Sequence, residues 1–147
     1  MTNIKFRILN IILVILAMVG LTDAGYLTVK HYSKSSVICS ISQGCDKVLS
    51  SDYALVFGIP VALFGVIFYF VVLVLAVHFL TQKTYHWVLN IWATVGLIST
   101  LYLLYLQAFV LKAWCQYCLL SAITSISIFV VSTLMLTLYK KIPHSDL

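Results

Sequence analysis

Long apolar runs separated by short polar segments make up most of this chain. Four of the runs come close to the ~20 residues needed to cross ~30 Å of hydrocarbon. They extend from Ile8 to about Lys30, from Ile59 to Leu80, from Trp87 to Leu111 and from Cys115 to Tyr139. The second and third are joined only by Thr81-Gln82-Lys83-Thr84-Tyr85-His86, and the third and fourth only by Lys112-Ala113-Trp114. Connections this short make neighbouring helices antiparallel. The remaining polar stretch, His31 to Gly58, is long enough to hold a small structure of its own. No internal repeat or low-complexity tract interrupts the pattern. It predicts an all-α integral membrane four-helix bundle, a single domain over residues 1–147, with a long loop at 31–58 between the first two helices.

Lys5 and Arg7 precede the first run, as in a secretory signal peptide. That run outlasts the usual apolar region of about 7–15 residues, and no A-x-A-like site closes it. It is read as a retained helix. Composition agrees with a membrane protein: 63% of the 147 residues are apolar and 9% charged, against about 25% charged in a soluble domain. The net charge of +5 could suggest nucleic acid, but the basic residues are spread over every polar segment. They read as membrane flanks, and no nucleic-acid partner is expected.

Four crossings put both termini on one side and the 31–58 loop, with Cys115 and Cys118, on the other. Lys5, Arg7, Lys83, Lys140 and Lys141 fall on the terminal side, and Lys30, Lys34, Lys47 and Lys112 on the cysteine side. The densest basic pairs flank the termini, which favours cytoplasmic termini and extracytoplasmic cysteines. An oxidising compartment of that kind lets disulfides persist.

The cysteines then carry the candidate chemistry. Cys115 and Cys118 stand at i and i+3 on the first turn of the fourth helix, so they share a face and can close into a strained, easily reduced bridge. The helix N-terminus, with Lys112 nearby, favours a thiolate at Cys115. Cys118 lies about 4.5 Å deeper by helical rise, nearer any apolar acceptor dissolved in the membrane. Cys39 and Cys45 enclose the short polar loop Ser40-Ile41-Ser42-Gln43-Gly44, which can bring them to bridging distance. They look like a shuttle pair. A purely structural disulfide framework is the competing reading, and four cysteines allow three connectivities. Zinc fits poorly, because one pair has an x5 gap in place of x2–4, so no metal is expected.

The order Cys39-(x)5-Cys45-Asp46-Lys47-Val48-Leu49-Ser50-Ser51-Asp52-Tyr53, then Phe57-Gly58-Ile59-Pro60-(x)4-Gly65-(x)3-Tyr69, then Cys115-x-x-Cys118 resembles the vitamin K epoxide reductase family, bacterial stand-alone members in particular. The resemblance covers nearly the full chain, from Asp23-Ala24-Gly25 to the fourth span. The other family of quinone-coupled thiol oxidases carries its Cys-x-x-Cys in the first external loop, the reverse of the order seen here.

The resemblance implies a bundle whose 31–58 loop, with a short interfacial helix near Ser51, covers a quinone pocket. Electrons from the reduced cysteine pair of a separate thioredoxin-like periplasmic protein would enter at Cys39. They would pass through Cys45 to Cys115, then to Cys118 and a quinone, ubiquinone or menaquinone. Ser51 corresponds to the family's loop Ser/Thr supporting the active site. The positions that align with the pocket Asn and Tyr of the vertebrate enzymes are Val61 and Ala122, which favours quinone-linked disulfide formation over vitamin K epoxide reduction. The implied location is a bacterial inner membrane. Phe57, Phe64 and Phe68, with Trp114 and Tyr117, are candidates for an aromatic pocket wall, although boundary aromatics also serve as belt residues.

Further residues receive narrower expectations. Asp23, ionisable within a span, is a functional-site candidate by default, and its place in the outer third also suits snorkelling or capping. His78, His86 and His144 read as ordinary interface residues on the terminal side. His31, on the cysteine side, suits proton transfer to a reduced quinone. Gly20 with Ala24, and Gly96 with Thr100, allow close helix approach.

Overall fold

The structure is a computed structural model that describes residues 2–34, 37, 39, 44–79 and 86–140. The polar loop 40–43, the turn around Lys83, and Lys141 and His144 lie outside the described residues. The long helix α1 spans Thr2–Tyr32, and the short helix α2 spans Cys45–Leu49. A 3-10 turn at Asp52–Ala54 leads into a two-stranded hairpin, β1 (Leu55–Val56) and β2 (Ile59–Pro60). Three helices follow: α3 at Val61–Phe79, α4 at His86–Tyr105 and α5 at Gln116–Lys140. Four of the five helices are long and apolar enough to cross a membrane, so the chain is an all-α integral membrane bundle.

The helices are held together by small residues and by a few polar contacts, as expected where lipid removes the hydrophobic drive between them. α1 packs broadly on α3 and α5, and α5 packs on α4, whereas α3 and α4 meet much less. On α1 the buried positions Leu13, Ala17, Gly20, Ala24 and Leu27 form one stripe, and Ile4, Ile8, Ile11 and Ile15 are exposed for lipid. A Cβ on Gly20 would run into the Tyr69 ring, and one on Gly96 into the Phe68 ring, so both glycines are needed for close approach. The Asn10 amide donates to the Ala76 carbonyl at 2.9 Å, tying α1 to α3. The Asn90 amide donates to Thr133 Oγ1 at 3.0 Å, tying α4 to α5.

Four details depart from the pattern of the sequence. α1 starts at Thr2, well before Ile8, because a helix continues through polar residues after the hydrocarbon has ended. Ile59 and Pro60 belong to the hairpin, so α3 starts at Val61. The end of the third span is a π-helical turn, Leu106–Leu111, closed by Lys112 in the left-handed region (φ 48°). His86 is also buried, packed between the rings of Phe6 (5.6 Å) and Tyr139 (4.9 Å), where an interface position was expected.

Candidate functional site

The described residues between Gly44 and Pro60 lie over one end of the bundle, where Val48, Leu49, Ser51, Tyr53, Ala54 and Pro60 border the same cavity as the helices. The backbone N–H of Val37 donates to Asp46 Oδ1 at 3.3 Å, fastening the start of the loop to α2. Ser51 Oγ donates to the Val48 carbonyl at 2.7 Å and closes the end of α2. The expected short helix near Ser51 is present as α2 on one side and the 3-10 turn on the other. Phe57 and Gly58 form the hairpin turn, both with positive φ (52° and 79°), as a two-residue type I′ turn requires.

Cys39 and Cys45 form a disulfide with their Cα atoms 6.3 Å apart, while Cys115 and Cys118 are free thiols. Cys45 and Cys115 are almost wholly buried, at 1% and 0% exposure, and they share one apolar cluster with Val48 and Ala113. Cys39, Tyr117 and Cys118 pack against that cluster. Both pairs therefore meet at the start of α5. Gly44 makes this approach possible, since a Cβ there would stand 2.7 Å from the Trp114 carbonyl oxygen and 2.9 Å from its nitrogen.

The thiol pair is set up by its surroundings. Gln107, buried in the π-helical turn, accepts the Cys115 N–H on its side-chain oxygen at 3.1 Å, and its main-chain carbonyl accepts the Ala113 N–H at 3.2 Å. This one residue fixes the link from α4 to α5. The Cys118 N–H points at Cys115 Sγ, 3.4 Å away. Cys115 is pushed down to about 7, chiefly by hydrogen bonding from the Cys118 side chain, against the opposing effects of burial and the Asp23 carboxylate. Its thiolate is therefore accessible near neutral pH.

Behind the thiols lies a cavity of about 370 Å³ between the loop and helices α1, α3, α4 and α5. Its size falls in the range of small-molecule sites. Cys118 and Ser51 line it, as do Phe64 and Phe68, so these expected site residues are brought together. Phe68 stacks on Trp92 with ring centroids 6.2 Å apart. Val61 and Ala122 also line it and present apolar surface. His31 borders it on the loop side.

Phe57 does not line the cavity, and this corrects the expectation. The I′ turn projects its ring away from the bundle, and it is 100% exposed to the protein's surroundings. Trp114 and Tyr117 are likewise not among the lining residues; Tyr117 pairs with Tyr26 at 5.2 Å, joining α5 to α1. Asp23 neither snorkels nor caps. It is 7% exposed, and its carboxylate oxygens have no hydrogen-bond partner among the described residues. Among the cavity residues that escaped the sequence reading are two buried polar ones, Gln107 and Ser125. Their signal was polarity inside apolar runs.

Comparison with known proteins agrees with this arrangement. Thiol-disulfide oxidoreductase LTO1 of Arabidopsis thaliana is 33% identical over 120 residues, which cover 75% of this chain and 32% of that protein. The chain thus spans about a third of the length of this relative. Residues 11–133 match the Vitamin K epoxide reductase family, and the chain belongs to that family.

Proposed function

We propose that the protein is a membrane thiol oxidoreductase that takes electrons from the dithiol of a separate thioredoxin-like protein and passes them to a quinone, supporting disulfide formation. The observation that carries this reading is the joint burial of Cys45 and Cys115 in one cluster, with Cys118 opening into the cavity behind them. A partner thiolate attacks Cys39, Cys45 leaves, and the partner's second thiol resolves the mixed disulfide as the partner becomes oxidised. Cys45 thiolate then attacks Cys115 of a Cys115–Cys118 disulfide, and Cys39 resolves the intermediate, leaving Cys115 and Cys118 as thiols. Those two thiols become a disulfide again by giving two electrons and two protons to the quinone, which becomes a quinol.

Cavity size and lining fit a quinone ring, with apolar walls from Phe64, Phe68, Val61 and Ala122. The membrane would be a bacterial inner membrane, with termini in the cytoplasm and cysteines outside. His31 borders the cavity, which supports a role in proton exchange with the acceptor. Purified protein, given a reduced thioredoxin-like protein and a short-chain ubiquinone or menaquinone analogue, is expected to consume thiols and form quinol. No quinone-dependent thiol loss by folded protein would leave a membrane subunit whose disulfide only braces its loop.

A further inference from the structure

The thiol relay leaves one buried ionisable group unused, the Asp23 carboxylate. Both of its oxygens are buried without a hydrogen-bond partner among the described residues. A carboxylate held inside a membrane helix without a partner is costly, so its retention calls for a function.

Tyr69 fixes the level of Asp23 in the bundle. The hydroxyl end of the Tyr69 ring lies against Gly20 of α1, and the hydroxyl itself pairs with the carbonyl and the Oγ of Ser121 on α5, both at 2.8 Å. Gly20 and Ser121 are thus bridged by one side chain. α1 runs toward the cysteine loop and α5 away from it. Asp23 lies three residues after Gly20 and Cys118 three residues before Ser121, each about 4.5 Å nearer the loop. The contact of Tyr26 with Tyr117 at 5.2 Å keeps the two helices in this register. Asp23 and Cys118 therefore stand at one level on packed helices, whose axes in such pairs are about 8–10 Å apart. The carboxylate is close enough to the thiol pair to oppose the Cys115 thiolate.

Few other titratable groups face Asp23. From α3 there is Tyr69, committed to Ser121, and from α5 Tyr117, packed on Tyr26. On α1 itself, Lys30 sits over the Tyr26 ring at 5.7 Å. The Cys118 side chain bonds to Cys115, and a turn about its Cα–Cβ bond directs it to α1 instead.

We propose that Asp23 is the base for Cys118: its carboxylate takes the Cys118 thiol proton as the pair is oxidised and releases it to the quinol. The inference deepens the quinone reading and rests on it. Cys115 enters the step as a thiolate, its proton already in water. Moving the Cys118 proton to Asp23 exchanges a carboxylate charge for a thiolate charge, whereas release to water would add a second charge to the hydrocarbon. The Cys115–Cys118 bond then forms as two electrons pass to the quinone. One quinol oxygen receives the proton held on Asp23, and the other receives a proton from water in place of the one Cys115 gave up. Ala24, next to Asp23, lines the cavity together with Cys118, so the proton crosses only that wall.

The test uses full-length protein in detergent carrying Cys39→Ser/Cys45→Ser, so that only the helix pair reacts. It is reduced beforehand and mixed with a saturating short-chain ubiquinone analogue, and quinol formation in a single turnover is followed across pH. The rate is expected to level off above about 7, once Cys115 is ionised. Asp23→Asn keeps the shape of the side chain but accepts no proton. It should slow the step roughly 100-fold, the lower end of general-base catalysis, and its rate should keep rising with pH. Quinone affinity, read from quenching of tryptophan fluorescence with Trp92 in the cavity wall, should stay unchanged, and Asp23→Glu should regain much of the rate. Asp23→Asn with the parent's rate and pH profile overturns the proposal, as a merely structural carboxylate would give. A parent rate that climbs tenfold per pH unit through the alkaline range also overturns it, whether or not Asp23→Asn folds. Parent protein that neither binds nor reduces the quinone overturns the quinone reading as well, whereas quinone reduction unaltered by Asp23→Asn overturns this inference alone.

Discussion

Gly44→Ala puts the smallest possible obstacle between the two cysteine pairs. Gly44 has φ −89° and ψ −6°, a conformation alanine adopts without strain, so the substitution acts through space alone. The added Cβ would sit 2.7 Å from the Trp114 carbonyl oxygen, about 0.7 Å inside the 3.4 Å at which ordinary contact begins. Trp114 cannot yield freely, because the residues on either side are anchored by Gln107 through the N–H groups of Ala113 and Cys115. The loop must lift instead. Overpacking of this size costs about 1–3 kcal/mol, which lowers the docking equilibrium constant roughly five- to 150-fold. Exchange between Cys45 and Cys115 requires sulfur–sulfur bonding distance, ~2.05 Å, and should slow by up to that factor. The assay is formation of the Cys45–Cys115 mixed disulfide in a Cys39→Ser/Cys118→Ser background, followed by mass spectrometry of the peptide joining loop and α5. Gly25→Ala, whose Cβ would meet nothing within 4 Å, is the control and should trap at the normal rate. Turnover driven by a small dithiol that reduces Cys115–Cys118 directly should survive in Gly44→Ala. Trapping at the unsubstituted rate in Gly44→Ala would show that the loop does not dock through Gly44.

Three other outcomes are expected. Cys115→Ser or Cys118→Ser should abolish quinone reduction with every donor, whereas Cys39→Ser or Cys45→Ser should abolish it with a protein donor and leave part of it with small dithiols; loop variants as active as wild type with the protein donor would refute the shuttle. In Cys39→Ser/Cys45→Ser protein, thiolate ultraviolet absorbance should appear as pH rises through about 7 and vanish below it, and Cys118→Ala should move the midpoint upward, because the Cys118 side chain is the main cause of the depression; a midpoint near the ordinary thiol value of about 8.5 in the parent would show that the pair does not interact this way. In intact spheroplasts a membrane-impermeant maleimide should label reduced Cys39 and Cys45 but reach a cysteine introduced at the exposed Lys140 only after lysis; labelling at 140 from outside would invert the orientation.

The four spans were legible because hydrocarbon thickness imposes a length on apolar runs, and that constraint does not depend on how the helices pack. Run length says little about where a helix ends. It placed the start of the first helix at Ile8, although α1 begins at Thr2, and it merged Ile59 and Pro60 into a helix that starts at Val61. The cysteine pairs were legible from spacing, since i and i+3 on a first turn share a face wherever the helix goes. Phe57 was misread because its aromatic character suggested a pocket wall. The Phe-Gly turn instead directs the ring outward.

The polar residues buried within apolar runs were the least legible part of the site. Gln107 and Ser125 each interrupt a hydrocarbon-length run and a run-length reading averages them away, whereas Asp23 stood out through its charge. Their environments nonetheless differ in ways a sequence cannot express. Gln107 is held by a π-helical turn that inserts its amide under the start of α5, a geometry that frees backbone groups for unusual partners and has no periodic signature. The left-handed Lys112 then turns the chain sharply enough to bring Ala113 and Cys115 back onto that same residue. A regular α-helix through 106–111 would give Gln107's backbone carbonyl to Leu111, and Ala113 would lose its acceptor. The local irregularity thus joins the thiol pair to the wall of the cavity.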